Sequence, residues 1–141
     1  MSEVTISAMK IEYYDKIAQL WNRNFGKAVS LGFDSRNRIE AYLIRNPEIS
    51  TVALLNKEII GTVLCGHDGR RGTLYHVSVD EEYRGEGIAK KMIERSISIL
   101  KQEGIDTAVL FAHVENENAV KYWNKNGWPS YPNVIYHLKD L

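Results

Sequence analysis

Residues 80–92 read "DEEYRGEGIAKKM". Gly85 and Gly87 stand one residue apart, Arg84 precedes them, and a run with helical spacing follows. The N–H groups of a helix's first turn have no intrahelical partner. They point out along the axis, where the helix dipole adds partial positive charge. An anion can dock there if no Cβ blocks its approach to the backbone. Gly85 and Gly87 remove those Cβ atoms and permit unusual dihedrals. Ala89 is small, and Arg84, Lys90 and Lys91 add positive charge nearby. Two readings fit the glycines: a tight strand-to-helix turn, or a cradle for a pyrophosphate. A P-loop is excluded because no G-K-S/T follows after four spacer residues. A dinucleotide fingerprint would need Gly or Ala at position 90, which is Lys90. It would also open a strand-helix-strand unit, whereas this stretch follows a meander of strands.

Outward from this loop, periodicity sets the organisation. "VTISAM" (Val4 to Met9) alternates as a first strand, and Tyr14, Ile17, Ala18 and Trp21 recur at helical spacing over 11–23. Ser35 is placed to cap a second helix carrying Ile39, Tyr42 and Leu43 on one face, with Pro47 beyond its end. "STVALLNKEIIGTVLCGH" and "TLYHVSV" predict three antiparallel strands at roughly 50–55, 59–66 and 73–79, joined by turns at Asn56–Glu58 and "HDGRRG". A helix follows from about Gly87 to Glu103, burying Ala89, Ile93, Ile97 and Leu100, with Gly104 as its C-terminal cap. "TAVLFAHV" (107–114) reads as a buried strand, "ENENAVKYWNKNG" (115–127) as a short helix, and "VIYHL" (134–138) as a last strand. The order is β-α-α-β-β-β-α-β-α-β, an α/β (α+β) chain forming a single domain over 1–141.

The 141 residues suit one core, and 18 basic residues against 18 acidic ones give no global field for nucleic acid. One cysteine, Cys65, permits no intrachain disulfide and points to a reducing compartment. Its place in a strand makes it a buried apolar residue. No apolar run approaches the ~20 residues of a membrane span, and the N-terminus lacks a signal peptide, so a cytoplasmic protein is expected. The four histidines show no metal-ligand spacing, so no metal is expected.

Arg84-Gly85-Glu86-Gly87-Ile88-Ala89 matches the R/Q-x-x-G-x-G/A motif of the GNAT superfamily of N-acetyltransferases. "LYHVSVDEEYRGEGIAKKMIE" resembles that family's fourth strand, loop and third helix. "NENAVKYWNKNGW" resembles its N-x-N-A-x-x-F-Y-x-K-x-G-F segment. The likeness covers roughly residues 50–128, with the rest agreeing in element order. It implies a mixed, mostly antiparallel sheet of about six to seven strands flanked by four helices, with the fourth and fifth strands splayed. Acetyl-CoA would lie in that opening, its pantetheine pairing with Val77, Ser78 and Val79 like an added strand. Its pyrophosphate would meet backbone N–H groups from Gly85 to Ala89, beside Arg84, Glu86 and Ile88. Asn118 would reach the pantetheine arm; the competing reading makes it a helix-start asparagine.

The resemblance further implies direct attack of a primary amine, on a small molecule or a peptide or protein N-terminus, on the thioester. A lysine-like amine near ~10.4 is short of its neutral form by about 4.6 kcal/mol at pH 7, and an α-amine near ~8 by about 1 kcal/mol. A base, a water chain or desolvation must close the larger gap. The family's thiolate-protonating tyrosine falls at Trp123, whose indole cannot donate, and Tyr122 is about 100° around the helix. Thr73 and Phe111 occupy strand positions that carry a glutamate in some relatives. Tyr75, taken by alternation to share a face with Val77 and Val79, is the expected acid or water-orienter. His113, two residues beyond Phe111, is the expected base. A packed tyrosine and a hydrogen-bonded strand-end histidine are the competing readings. His76 falls on the opposite face. Arg70 and Arg71 lie about 20 Å or more from the glycine loop at ~3.3 Å per residue, so they belong to a solvated turn. The stretch "NFGKAVSLGFD" (24–34) and the first two helices are expected to wall the acceptor site, and the resemblance allows a homodimer. The alternative function is a non-catalytic acyl-CoA-binding module of the same fold; a nucleotide-phosphate enzyme is the third.

Overall fold

The meander predicted around Asn56 and "HDGRRG" forms the centre of the structure. It is a computed structural model, and it describes residues 3–26 and 32–141. Five strands are ordered β1-β2-β3-β4-β5: β1 Thr5–Ala8, β2 Thr51–Leu55, β3 Glu58–His67, β4 Gly72–Val79 and β5 Ala108–Leu110. The first four pair antiparallel, and β5 joins β4 in parallel through Gly72↔Ala108 to Leu74↔Leu110. Beyond Leu74 that pairing stops while β4 continues to Val79, as expected for strands that part.

Helices α1 (Tyr14–Phe25) and α2 (Arg36–Arg45) cover one face of the sheet, and α3 (Ile88–Gln102) covers the other. Ile17, Leu20 and Trp21 form the buried stripe of α1 at i, i+3 and i+4, and pack with Ile39, Val52, Ile59 and Leu64. Burying each such side chain fully stabilises by roughly 1.5–3 kcal/mol. Ser35 caps α2 by accepting from the Arg38 N–H. On the opposite face, Gly61 and Gly72 leave room for Met92 and Leu100; an added Cβ would come within 2.8 and 2.6 Å of them. Ser96, buried in α3, donates to the Ile49 carbonyl at 2.7 Å and meets Thr51 Oγ1 at 2.8 Å.

The chain divides into two compact units, Met1–Leu110 and Phe111–Leu141. The second holds α4 (Glu117–Lys125) and an aromatic cluster in which Trp123 meets Tyr122 and Trp128 edge-on. Asn124 ties α4 to Ser130 through two hydrogen bonds.

Three expectations need correction. Among the described residues the sheet has five strands, not six or seven. "VIYHL" forms no strand; its apolar side chains stand exposed, and Tyr136 packs on Phe111 at 5.2 Å instead. "TAVLFAHV" keeps only Ala108–Leu110 as strand, and that stretch is half-buried rather than buried. Apolar content promises burial only where a second layer covers it. No helix of the described residues is long and apolar enough to cross a membrane.

Candidate active site

The register of β3 against β4 shifts between Thr62 and Leu64, so that Val63 faces both His76 and Val77. This is a β-bulge. His76 adopts φ +47°, a left-handed conformation rare for a residue with a side chain. Buried groups hold it there. The Trp21 Nε1–H donates to Thr62 Oγ1 at 2.8 Å, and Thr62 Oγ1 donates to the His76 carbonyl, also at 2.8 Å. The His76 ring tilts over Trp21 at 4.5 Å and lies 3.0 Å from Asp34 Oδ1 through Nε2.

The extra residue reverses the facing expected from strict alternation. Tyr75 points to the α1/α2 face, where its ring meets Tyr42 edge-on at 6.5 Å. His76 points to that same face, and so does Ser78, which is bonded to Asn24 of α1. Val79 lies opposite Gly61, on the α3 face. Tyr75 therefore does not share a side with Val77 and Val79, and His76 is not opposite Tyr75. No sequence periodicity could announce this, because a bulge is a break in periodicity.

The bulge also orders the backbone edges. The Asp80 N–H bonds to the Ile60 carbonyl, so Asp80 and Ser78 face β3. Val77 and Val79 then present their amides to the other edge, beyond the last rung with β5. The Val79 carbonyl there already accepts from Asn24 Nδ2 at 3.0 Å and Arg84 Nε at 2.9 Å. Val77 is left as the residue whose edge an extended ligand could pair.

After β4 the chain makes one short turn at Glu81–Tyr83, begun by Asp80, whose carboxylate accepts the Glu82 N–H. Arg23 secures Asp80 at 2.9 Å. Gly85 and Gly87 then take φ +81° and +79°, with nothing within 4 Å of either added Cβ. Gly87 caps α3 without a side-chain hydrogen bond, and no acidic residue lies in the first turn. Arg84, Gly85, Glu86 and Gly87 are exposed, Ala89 is half-buried, and Ile88 is buried as the anchor of the turn. The α3 mouth is thus an open set of amide donors with no carboxylate in its first turn.

A second concavity, of about 280 Å³, opens on the α2 side of the same strand, lined in part by Tyr42, Arg45, Gly66, Thr73 and Tyr75. Its floor requires Gly66, where a Cβ would lie 2.5 Å from Asn46 Cγ and 2.7 Å from the Tyr42 hydroxyl. Asn46 is fixed, since it accepts the His67 N–H and donates to the Tyr42 carbonyl. Burial pushes the Tyr42 phenol well above its ordinary value, so it is a neutral donor. Burial likewise pushes Cys65 up to about 12, which removes its thiolate near neutral pH.

The remaining expected site residues fall in the second unit. Asn116, not Asn118, caps α4, accepting the Ala119 N–H at 3.1 Å. Asn118 stands in the first turn of α4, as its helix-start reading has it, and its amide has no hydrogen-bond partner among the described residues. His113 lies past the end of β5, in a turn where its Nδ1 accepts the Glu115 N–H at 3.3 Å. Of the acceptor wall, residues 27–31 lie outside the described residues. Asn24 and Asp34 fall within the stretch expected to wall the acceptor site, and His76 was expected on the face opposite Tyr75; none of the three was singled out as a brace of β4.

Residues 14–128 match the family described as Acetyltransferase (GNAT) family. Among curated proteins, the chain is 32% identical to N-alpha-acetyltransferase 30 of Schizosaccharomyces pombe, over 96% of this chain and 91% of that protein. Among solved structures it is similar to the NatC complex bound to Gag peptide and CoA, with TM-score 0.74 and 26% identity, over 89% of this chain and 84% of that one. It also superposes on an aminoglycoside acetyltransferase from a soil metagenomic sample, with TM-score 0.81 at 18% identity, over 98% of this chain and 96% of that one, a likeness of fold.

Proposed function

The chain belongs to the acetyltransferase (GNAT) family, and on that footing we propose that it transfers the acetyl group of acetyl-CoA directly to a primary amine, an α-amine by preference. The observation that carries this reading is the mouth of α3. Gly85 and Gly87, both at positive φ with open space where a Cβ would be, leave the first-turn amides accessible to a diphosphate. Arg84 sits beside them, held to the end of β4 by its bond to the Val79 carbonyl. Val77, on the unpaired edge, is the residue that would take the pantetheine amides. Asn118, relieved of capping by Asn116, would add a polar contact to that arm.

When bound, the coenzyme supplies an activated acetyl thioester. The chain's residues have to orient it and manage protons. Tyr75 carries a phenol that can hold or donate a proton to the departing sulfur. His113 is the base, accepting the amine's proton directly or through water at Nδ1, the nitrogen that otherwise receives the Glu115 N–H. An α-amine is favoured because its neutral form is short by only about 1 kcal/mol at pH 7, which a single imidazole can supply. The similarity to N-alpha-acetyltransferase 30 supports the same preference.

Trp123 favours a second reading, a module that binds acyl-CoA without turnover. Its ring meets Tyr122 and Trp128 edge-on and offers no transferable proton. Thiol release from acetyl-CoA with a panel of peptides and small amines decides. Release with at least one α-amine, lowered in Tyr75→Phe and His113→Ala, is the expected result. Tight CoA binding with no release on any amine would establish the second reading.

A further inference from the structure

The concavity beside Tyr75 has a donor set that the coenzyme reading leaves unused. Arg45, in the last turn of α2, is exposed and has no ion pair or hydrogen bond to any described residue. The Tyr42 and Thr73 hydroxyls line the same cavity and likewise have no hydrogen-bond partner among the described residues. Three donors, one of them a full cation, thus converge without an acceptor of their own. Asp68 also lines the cavity, but its carboxylate is spent locally: it accepts the Arg70 and Arg71 N–H groups at 2.8 and 2.9 Å and pairs with the Arg70 guanidinium. The backbone bonds hold it below the usual carboxylate range, so it stays ionised.

From this arrangement we infer that the cavity is the acceptor's subsite and that it takes a carboxylate carried by the amine substrate, with Arg45 as the specificity-determining residue. The inference rests on the acetyl-transfer reading for its location: Tyr75 lines the cavity, so a group seated on Arg45 and Thr73 belongs to the molecule whose amine reaches Tyr75. Thr73 and Tyr75 are two residues apart on one strand face, about 7 Å at ~3.3 Å per residue. The link between amine and carboxylate is therefore short. A cavity of about 280 Å³ lies just under the ~300–1,000 Å³ of drug-sized sites and suits a small amino acid or one acidic side chain. Guanidinium and phenol are the pairing expected for a planar monoanion. The nearby ionised Asp68 disfavours a phosphate dianion, which would feel twice the repulsion.

Two measurements test this. In the first, thiol release from acetyl-CoA is compared for glutamic acid α-amide and glutamine α-amide, which share an α-amine and differ only in a side-chain carboxylate or carboxamide. At least a tenfold higher kcat/KM for the carboxylate is expected, and Arg45→Gln should erase that preference. In the second, which needs no turnover, backbone amides are followed by NMR while glutarate or inorganic phosphate is added. Saturable shifts at Gly66 and Thr73 with glutarate are expected, weaker with phosphate and absent in Arg45→Gln. Equal use of acid and amide, a preference that survives Arg45→Gln, or glutarate titration without shifts at Gly66 and Thr73 would overturn the inference and leave acetyl transfer standing. If neither amine releases thiol, the transfer reading is what suffers, and the NMR titration alone decides the subsite. Stronger shifts with phosphate would replace the carboxylate assignment.

Discussion

His76 Nε2 and Asp34 Oδ1 lie 3.0 Å apart, and this contact ties the bulge of β4 to the residue just before the Ser35 cap of α2. Asp34 is almost wholly buried, and Tyr14 donates its hydroxyl to the Asp34 carbonyl. A strained backbone in the middle of a strand persists only when its surroundings over-determine it. Here the ring of His76, its carbonyl and its neighbour Ser78 are each held from the α1/α2 side.

His76→Ala should remove the ring contact and the hydrogen bond while keeping a side chain at φ +47°. A loss of roughly 1–3 kcal/mol is expected, read as a fall in Tm. Faster amide hydrogen exchange than in the wild type would accompany it at Asp80, whose N–H bonds to the Ile60 carbonyl just past the bulge. Unchanged exchange at Asp80 would dissociate His76 from the bulge.

Thr62 links Trp21 to the His76 carbonyl as acceptor and donor at once. Thr62→Val keeps the shape and removes both bonds. Each buried group left unpaired costs about 1–3 kcal/mol, so this nearly isosteric change should destabilise more than Thr→Val at an exposed strand site. Chemical denaturation of both variants checks it; equal midpoints would contradict the buried chain.

Gly66→Ala tests the floor of the second cavity. Asn46 cannot retreat without breaking its bonds to His67 and Tyr42, so the new methyl forces a backbone shift. A loss of about 1–3 kcal/mol is expected from thermal unfolding. Gly69→Ala, whose Cβ would meet nothing within 4 Å, should lose only the smaller amount due to its positive φ.

Alkaline pH should expose the burial of Cys65. Its folded value of about 12 lies above the ordinary 9.0, so the folded state holds the proton more tightly. That contribution is complete below about pH 9 and is lost as pH rises towards 12. Tm should therefore decline across that window, and less steeply in Cys65→Ala. Matching slopes for the two proteins would show that the thiol titrates alike folded and unfolded.

The meander, the Ser35 cap and the start of α3 were legible because each rests on local chemistry: alternation, a capping hydroxyl, two glycines. The bulge at His76 was not, since one inserted residue inverts every facing after it, and Tyr75 was misassigned to the side of Val77 for that reason. "VIYHL" has the composition of a strand but no strand partner, a tertiary condition that composition cannot express. Arg45 and Thr73, 28 residues apart in the chain, meet only through the packing of α2 on the sheet.

The most direct test of the central claim is a calorimetric titration of coenzyme A and of pantetheine, which lacks the diphosphate, into the wild type, Gly87→Asn and Gly87→Glu. Asparagine tolerates the left-handed backbone and adds no charge, whereas glutamate places a carboxylate at the mouth of α3. Coenzyme A affinity should be largely kept in Gly87→Asn and fall tenfold or more in Gly87→Glu, with pantetheine binding the same in both. Coenzyme A binding equally well to Gly87→Glu would contradict a diphosphate seated on those amides.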